Sequence, residues 1–284
     1  MTTETLGPTL SASIVGSSAG PLTQTIDARW LMAYHAALSD GLPRPVAHPL
    51  FAVSYEWPVS AALREQAIAA ALAPLSVHAS HHLVIHRPPR AGDRLTTTGT
   101  VADIVQRRAG ALVTMTFETV DAAGEPVTTT IYGSLYRGVT VTGELGRPDG
   151  RALARPTVDA TTMFGDAVWT ETVAVAANAA HVYTECARIW NPIHTDEDVA
   201  RSAGLPGIIL HGTATLALCI TRIVRRDLRD DAARVHGVSA RFTGMVTLPS
   251  TFLLRVARRT AHGIAFDAVD DHGRPILSLG ALST

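Results

Sequence analysis

Apolar residues change their spacing along the second half of the chain, and this change separates helix from strand. In TATLALCITRIVRRDL (213–228) they lie at helical spacing, which predicts one long helix. The segments that follow alternate or run apolar and are rich in Val, Ile, Thr and Phe, as strands are. These segments are ARVHGVSARFTG, TFLLRVARRT, GIAFDAVD and PILSLGALS. The pattern predicts a long helix wrapped by a curved antiparallel sheet.

Three short phrases recur in the same order in the two halves of the chain. The pairs are GLPRPVAHP (41–49) with GLPGIILHG (204–212), Val77-His78 with Val235-His236, and VDAAGEPV (120–127) with VDDHGRPI (269–276). Three matches in one order indicate an internal duplication. The sequence therefore predicts an α+β fold of two repeats, each with a central helix and an antiparallel sheet.

The duplication sets the expected domain limits. Residues 139–164 are expected to be a linker, because GVTVTGELGRPDGRALARPTVDA (138–160) is dense in Gly, Pro, Thr and charge and has no sustained period. Residues 22–138 then form a degenerate first repeat and residues 165–284 the repeat that carries the site. Residues 1–21, rich in small side chains, are expected to be an N-terminal tail.

Composition narrows the classes of function. The 284 residues are 46% hydrophobic and carry 24 Lys and Arg against 25 Asp and Glu, so the basic excess of a nucleic-acid binder is missing. Only Cys186 and Cys219 occur, which indicates a reducing, cytoplasmic location. Apolar runs break well before the roughly 18 residues of a membrane span. We expect a globular cytoplasmic protein with neither a nucleic-acid nor a membrane partner.

The phrase WNPIHTD (190–196) contains the first candidate for chemistry. Pro192 fixes its own φ and biases Asn191 to an extended conformation, so this turn can aim His194 into a cavity. An imidazole with an ordinary pKa of about 6.5 can accept or return a proton near neutral pH. His194 is therefore the candidate base, although the same turn could simply lead into a helix.

The start of the long helix is the second candidate. Gly212 and Thr213 begin it, and the first amides of a helix have no acceptor within the helix, so they can point at a developing oxyanion. The first-half counterpart of Gly212 is Pro49, which has no N–H to donate. We therefore assign the chemistry to the second half and expect the first half to shape the cavity in which it takes place.

The stretch WNPIHTDEDVARSAGLPGIILHGTATLALC (190–219) resembles the signature of the MaoC-like, or type 2, enoyl-CoA hydratases. In that family a Ser-Gly-Asp-x-Asn-Pro-Leu/Ile-His run leads into a His-Gly helix start. The resemblance covers most of residues 22–284 and implies a double-hotdog fold with one working site. It also implies reversible hydration of trans-2-enoyl thioesters to (R)-3-hydroxyacyl products by an Asp and a His. The substrate would be an acyl thioester of CoA or a carrier protein, and a homodimer of double-hotdog chains is compatible with the family.

Two positions depart from the family signature. Asn191, Pro192 and His194 match it, but Ile189 stands where the family has its Asp and Arg188 where it has Gly. Ile cannot hold a water or carry a proton, so half of a two-group acid–base pair is missing. The predicted catalytic residues are His194 and Gly212. The predicted substrate contacts are Arg188, Ile189, Trp190, Asn191 and Thr213.

Several functions remain open at this point. A lyase of the MaoC type with altered chemistry is the first, and a hydratase in which Glu185 replaces the missing acid is close to it. A hotdog thioesterase or isomerase and a non-catalytic thioester-binding partner subunit are the others. HASHH (78–82) lacks carboxylate or Cys partners, so no metal site is expected, and no fingerprint of a nicotinamide or flavin cofactor occurs.

Overall fold

The computed structural model describes residues 7–39, 46–144, 167–260 and 263–284. The first half contains strands β1 (Thr9–Ser11), β2 (Ser18–Thr25), β3 (Ser76–Ile85), β4 (Arg94–Arg107), β5 (Gly110–Val120), β6 (Pro126–Arg137) and β7 (Thr140–Thr142), and helices α1 (Ala28–Ala37) and α2 (Ala52–Ala67). The second half contains strands β8 (Trp169–Val175), β9 (Gly237–Phe242), β10 (Ser250–Thr260), β11 (Gly263–Val269) and β12 (Pro275–Ser283), and helices α3 (Ala179–Ala187), α4 (Glu197–Ser202) and α5 (Gly212–Asp227).

Ten strands form one antiparallel sheet in the order β2-β4-β5-β6-β3-β9-β12-β11-β10-β8. The two halves contribute five strands each in mirrored order, and they meet where β3 pairs with β9 in a register from Ser80↔Arg241 to Val84↔Gly237. This symmetry agrees with the predicted duplication. It also agrees with the predicted α+β fold of two helix-and-sheet repeats.

The two hairpin turns repeat in atomic detail. Between β5 and β6, Asp121 Oδ1 accepts hydrogen bonds from the amides of Ala123 and Glu125. Between β11 and β12, Asp270 Oδ1 accepts from the amides of His272 and Arg274 in the same way. Each turn contains a glycine with positive φ, a conformation that other residues rarely adopt. The matched phrases VDAAGEPV and VDDHGRPI are thus the same turn made twice.

The central helices differ in how they begin. Helix α5 starts at Gly212, directly after His211, as predicted. It buries Leu216, Ile220 and Ile223 among its neighbours, and each such side chain contributes about 1.5–3 kcal/mol on burial. Helix α2 starts only at Ala52, three residues after Pro49. The matching phrase residues Gly41, Leu42 and Pro43 lie outside the described residues.

Two expected boundaries differ from the structure. Residues 1–21 are not simply a tail, because β1 and β2 lie within or extend from this range and Leu10, Ala12 and Ile14 are buried. These three apolar residues alternate along the chain, and the many small residues around them obscured that period. The fold of the first half also continues past 138, since β7 pairs in parallel with β1. The remainder of the expected linker, from 145 onward, lies outside the described residues.

Helices α1 and α3 pack together and form a second junction between the two halves. The hydroxyl oxygens of Tyr34 and Tyr183 are 3.2 Å apart, and both side chains are buried. The Tyr34 hydroxyl also donates to the carbonyl oxygen of Leu50 at 3.1 Å. Within the described part of the chain, no helix is long and apolar enough to cross a membrane.

The Tyr34 hydroxyl is expected to stabilise this junction. Tyr34→Phe should lower the free energy of unfolding by about 1–3 kcal/mol, because it removes the buried hydrogen bonds to the Leu50 carbonyl and the Tyr183 hydroxyl and leaves that carbonyl with the longer, 3.4 Å bond from the amide of Val53. Urea denaturation followed by circular dichroism measures the change. As a control, Thr23→Val removes an exposed hydroxyl pair with Thr96 and should change stability by less than about 0.5 kcal/mol. Equal effects of the two substitutions would contradict the prediction.

Candidate active site

His194 lies in a short 3-10 turn, Pro192–His194, that the Asn191 side chain caps by accepting from the amide of Ile193. Its Nδ1 lies 2.8 Å from the carbonyl oxygen of Ile209, and its ring stacks on His211 with 3.7 Å between the ring centroids. The side chain is 9% exposed. The predicted turn therefore does aim His194 inward, towards the residue that precedes Gly212.

Burial sets the charge of the stacked pair. It lowers the pKa of His194 to about 4, against a smaller opposing effect of the Ile209 carbonyl. Burial also holds the pKa of His211 well below its ordinary value, and the neighbouring His194 lowers it further. Both rings are neutral at pH 7. Because the Ile209 carbonyl can only accept, Nδ1 of His194 carries the proton and Nε2 keeps its lone pair.

The start of α5 lies beside this pair. His211 is the N-cap residue, and no side chain hydrogen-bonds to the first helical amides there. Those amides carry the partial positive charge of the helix end. A Cβ at Gly212 would lie 2.9 Å from the Phe242 ring, so the glycine is needed for the close packing of that ring. The side-chain-free face of Gly212 is thus covered by Phe242 rather than open to a substrate.

Hydroxyl groups surround the stacked histidines. Thr184 Oγ1 lies 3.3 Å from His211 Nε2, and the Tyr183 hydroxyl donates to Thr213 Oγ1 at 3.3 Å. Thr213 is buried, and its hydroxyl holds the Tyr183 side chain against the start of α5. Sequence analysis missed the contribution of Tyr34. Its separation from Tyr183 (183 − 34 = 149) equals the offset of the matched hairpins (269 − 120 = 149), a signal that could have paired them.

The two residues that depart from the family signature are both accounted for structurally. Arg188 ends α3 with φ +57°, the left-handed conformation that favours the glycine found there in the family. Its guanidinium lies 4.1 Å from the centroid of the Trp30 ring and 3.8 Å from a carboxylate oxygen of Asp27. Ile189 is 5% exposed and packs in the main hydrophobic core. Within the described ranges, no carboxylate hydrogen-bonds to His194 or His211.

Trp190 and Asn191 face outward from the site. Trp190 is 57% exposed, and both residues line a cavity of about 290 Å³ together with Thr184 and Glu185. Neither His194 nor Gly212 lines that cavity. The structure thus brings His194 next to the start of α5 and places Trp190, Asn191 and Glu185 on an outer cavity. Thr184, which also lines that cavity, lies between it and His211.

The first half holds a closed counterpart of the site. His48 Nδ1 accepts from the amide of Leu50, and its Nε2 lies 3.2 Å from Thr221 Oγ1. A cavity beside His48 and Pro49 has a volume of about 10 Å³, room for about one water. His48 is therefore engaged in structural contacts, as expected for a repeat that lacks the Asn-Pro-x-His turn.

Two family profiles match the chain. The profile described as a MaoC like domain matches residues 160–266, and one described as a FAS1-like, dehydratase domain region matches residues 15–130. Peroxisomal multifunctional enzyme type 2 of Mus musculus is 26% identical over 168 residues, which are 59% of this chain and 22% of that protein. Peroxisomal enoyl-CoA hydratase 2 of Arabidopsis thaliana is 40% identical over 53 residues, which are 19% of this chain and 17% of that protein. The chain thus covers less than a quarter of each of these relatives.

Solved structures share the fold at low identity. A MaoC-like dehydratase from Phytophthora capsici superposes with a TM-score of 0.80 at 20% identity, covering 95% of each chain. A protein from Mycobacterium tuberculosis described as having a double hotdog fold superposes with a TM-score of 0.62 at 16% identity, again over 95% of each chain. The expected fold and resemblance are confirmed. The chain therefore has a double-hotdog fold, and its first half is similar to a FAS1-like dehydratase region and its second half to a MaoC-like domain.

Proposed function

We propose that the second repeat is a lyase that interconverts a 3-hydroxyacyl thioester and its 2-enoyl thioester with a single acid–base residue, His194. The observation that carries this proposal is the hydrogen bond from His194 Nδ1 to the Ile209 carbonyl. It fixes the neutral tautomer and leaves Nε2 as a base beside the start of α5. The matches to dehydratase profiles and to a named enoyl-CoA hydratase support the same class of reaction.

In the proposed dehydration, the thioester carbonyl oxygen accepts a hydrogen bond from the amide of Gly212. The helix end then stabilises the negative charge that develops on this oxygen. His194 Nε2 takes the proton from the α-carbon. The electron pair forms the carbon–carbon double bond as the bond from the β-carbon to its hydroxyl breaks. The imidazolium returns its proton to the departing hydroxyl, so water and the enoyl thioester are the products.

The environment of His194 favours protonation of the leaving hydroxyl more than removal of the α-proton. An imidazolium with a pKa of about 4 is a strong acid for its kind and gives its proton readily to a leaving hydroxyl. The neutral imidazole of His194 is a correspondingly weak base. Removal of the α-proton therefore depends on polarisation of the thioester carbonyl by the start of α5. Protonation of the hydroxyl and removal of the α-proton by one imidazole require both groups on the same face of the substrate.

Ile189 and Glu185 separate this proposal from ordinary two-group hydration. Ile189 offers no acid to hold the water. Glu185 is exposed on α3 and lines the outer cavity, which His194 does not share, so the geometry favours His194 acting alone over a replacement of the family acid by Glu185. The proposed activity is slower in the hydration direction than that of a site with both groups, since one acid–base group contributes about 10²–10⁴-fold.

His194→Ala should lower the rate of interconversion of crotonyl-CoA and 3-hydroxybutyryl-CoA by at least about 100-fold, because no other group in the site transfers the proton. The enoyl-thioester absorbance measures this rate. His272→Ala is the control, since His272 is an exposed residue of the β11–β12 turn. Glu185→Gln should also leave the rate unchanged. Full activity of His194→Ala, or a large loss of rate in Glu185→Gln, would contradict the proposed role of His194 as the lone acid–base group.

The pH dependence of kcat/KM should reflect the lowered pKa of His194. Only the neutral imidazole accepts the α-proton, so activity should be constant from pH 8 down to about pH 6 and fall at lower pH with an apparent pKa of about 4. The folded-state pKa lies below the ordinary value, so protonation also disfavours the fold as the pH falls from about 6.5 through 4. Circular dichroism at each pH separates loss of base from loss of fold. An acid limb centred near 6.5 would show that His194 is not the group that titrates.

Ile189→Asp should restore a second acid–base group and raise the rate of crotonyl-CoA hydration by about 100-fold. Because Ile189 is buried in the apolar core, the carboxylate should also lower the melting temperature. Ile189→Asn is the matched variant, with similar size and polarity but no acid. An equal gain in both variants would mean that polarity rather than proton transfer limits hydration.

A further inference from the structure

Helix α2 of the first repeat carries a polar face where a central helix is expected to be apolar. Glu56, Ser60 and Arg64 are spaced four residues apart and so lie on one face. Glu56 and Ser60 are buried, and Arg64 is half-buried. Thr130 Oγ1 donates to Glu56 Oε1 at 2.6 Å, and the Arg64 guanidinium lies 5.0 Å from the centroid of the Tyr132 ring. The polar face of α2 therefore packs against β6.

The facing sheet is polar as well. On β3 and β6 the paired positions are His81↔Tyr132 and His78↔Ser134. The His78 ring stacks on Tyr132 with 3.7 Å between centroids and lies 5.5 Å from His81. By contrast, α5 of the second repeat is buried largely through aliphatic side chains. Polar residues thus line both sides of the space between α2 and the first-half sheet.

Several polar atoms in this space have no partner. Ser60 Oγ, Ser134 Oγ and both ring nitrogens of His81 are fully buried and have no hydrogen-bond partner within the part of the chain that is described. His81 is 1% exposed, and burial lowers its pKa to about 3, so at pH 7 it offers one N–H donor and one nitrogen acceptor. Buried polar groups in native proteins are almost always hydrogen-bonded to protein, water or ligand, so these atoms can pair with an oxygen that a ligand brings to this interface.

The polar cluster is defined as Ser60, Arg64, His81 and Ser134, and two aromatic rings, those of His78 and Phe242, connect it to the start of α5. The Phe242 ring that covers Gly212 lies 4.3 Å, between centroids, from the ring of His78. Trp57, Arg64, His78 and Tyr132 are half-buried and form the partly exposed edge of this interface. Among the described residues, Arg64 forms no ion pair with a carboxylate, and its cation rests on the rings of Trp57 and Tyr132.

We propose that the polar cluster receives the acyl group of the thioester and selects one that carries a hydrogen-bonding oxygen beyond the thioester, as a hydroxyl or a carboxylate. The inference rests on the proposed function, because it takes the start of α5 as the place where the thioester is held. A plain alkyl chain in this space would leave the hydroxyls of Ser60 and Ser134 and the His81 ring unpaired. An oxygen on the chain pairs with them, and a terminal carboxylate also neutralises Arg64.

Binding of saturated thioesters tests the proposal without turnover. Isothermal titration calorimetry compares hexanoyl-CoA, ω-hydroxyhexanoyl-CoA and adipyl-CoA on the full chain. At least one oxygen-bearing thioester should bind at least about tenfold more tightly than hexanoyl-CoA, because only it pairs the buried polar atoms. Arg64→Gln distinguishes the two chemistries, since it should remove a preference for adipyl-CoA and leave a preference for the hydroxyl compound.

His81→Leu is the decisive variant. It should abolish the preference while leaving the melting temperature unchanged or higher, since an unpaired buried polar group is replaced by an apolar one. His86→Leu is the matched control, because His86 is exposed just beyond the same strand and lies 3.0 Å from Thr129 Oγ1. If His81→Leu does not fold, Ser60→Ala and Ser134→Ala test the same preference with smaller changes.

The outcomes separate this inference from the proposed function. Equal binding of the three thioesters, no binding of any of them, or a preference that survives in His81→Leu or in both serine variants overturns the inference. Turnover of crotonyl-CoA together with equal binding would retain the lyase and reject the polar acyl site. A preference for the oxygen-bearing thioesters without turnover of any 3-hydroxyacyl thioester would retain the site and reject the lyase.

Discussion

The pairing of β3 with β9 is the constraint on which the rest of the structure depends. It makes one sheet from two repeats, and it places the end of β9, with Phe242, beside His78 and Tyr132 of the first half. Phe242 in turn packs on Gly212. The start of α5 therefore meets the first repeat through one aromatic ring. Any site at that helix end is shaped by both halves, although only the second half carries its base.

Burial determines which chemistry this site can perform. The stacked imidazoles of His194 and His211 can share an enclosed space only while neutral, because protonation of either would place a desolvated cation against the other ring. Ile189 is consistent with that environment, since a carboxylate in the same core would need a partner that the neutral rings do not supply. The missing acid and the lowered pKa of His194 are two consequences of one apolar corner.

Local patterns in the sequence predicted the elements well, but contacts between distant residues were much less accessible. Helix α5 and strands β9–β12 follow from periodicity, and the phrase 190–212 placed His194 near Gly212. The contact of Phe242 with Gly212 and the polar face between α2 and β6 arise from strand register, which periodicity does not contain. Strand β1 was not predicted, because the alternation of buried and exposed residues in it is short and lies among small residues. The Tyr34–Tyr183 contact was missed as well, although the separation of the two residues equals the offset of the matched hairpins.

The asymmetry between the repeats explains why both are needed. A duplicated fold offers two central helices, and neither start has a side-chain cap, but α2 begins only after Pro49 and buries Glu56 and Ser60 on the face that meets β6. Unpaired polar atoms inside a helix–sheet interface weaken a repeat that has only a structural role. Substituting Ser60, His81 or Ser134 by apolar residues would remove that weakness. Such polar residues occupy this interface, which His78 and Phe242 connect to the start of α5, and a role in recognising the acyl group accounts for them.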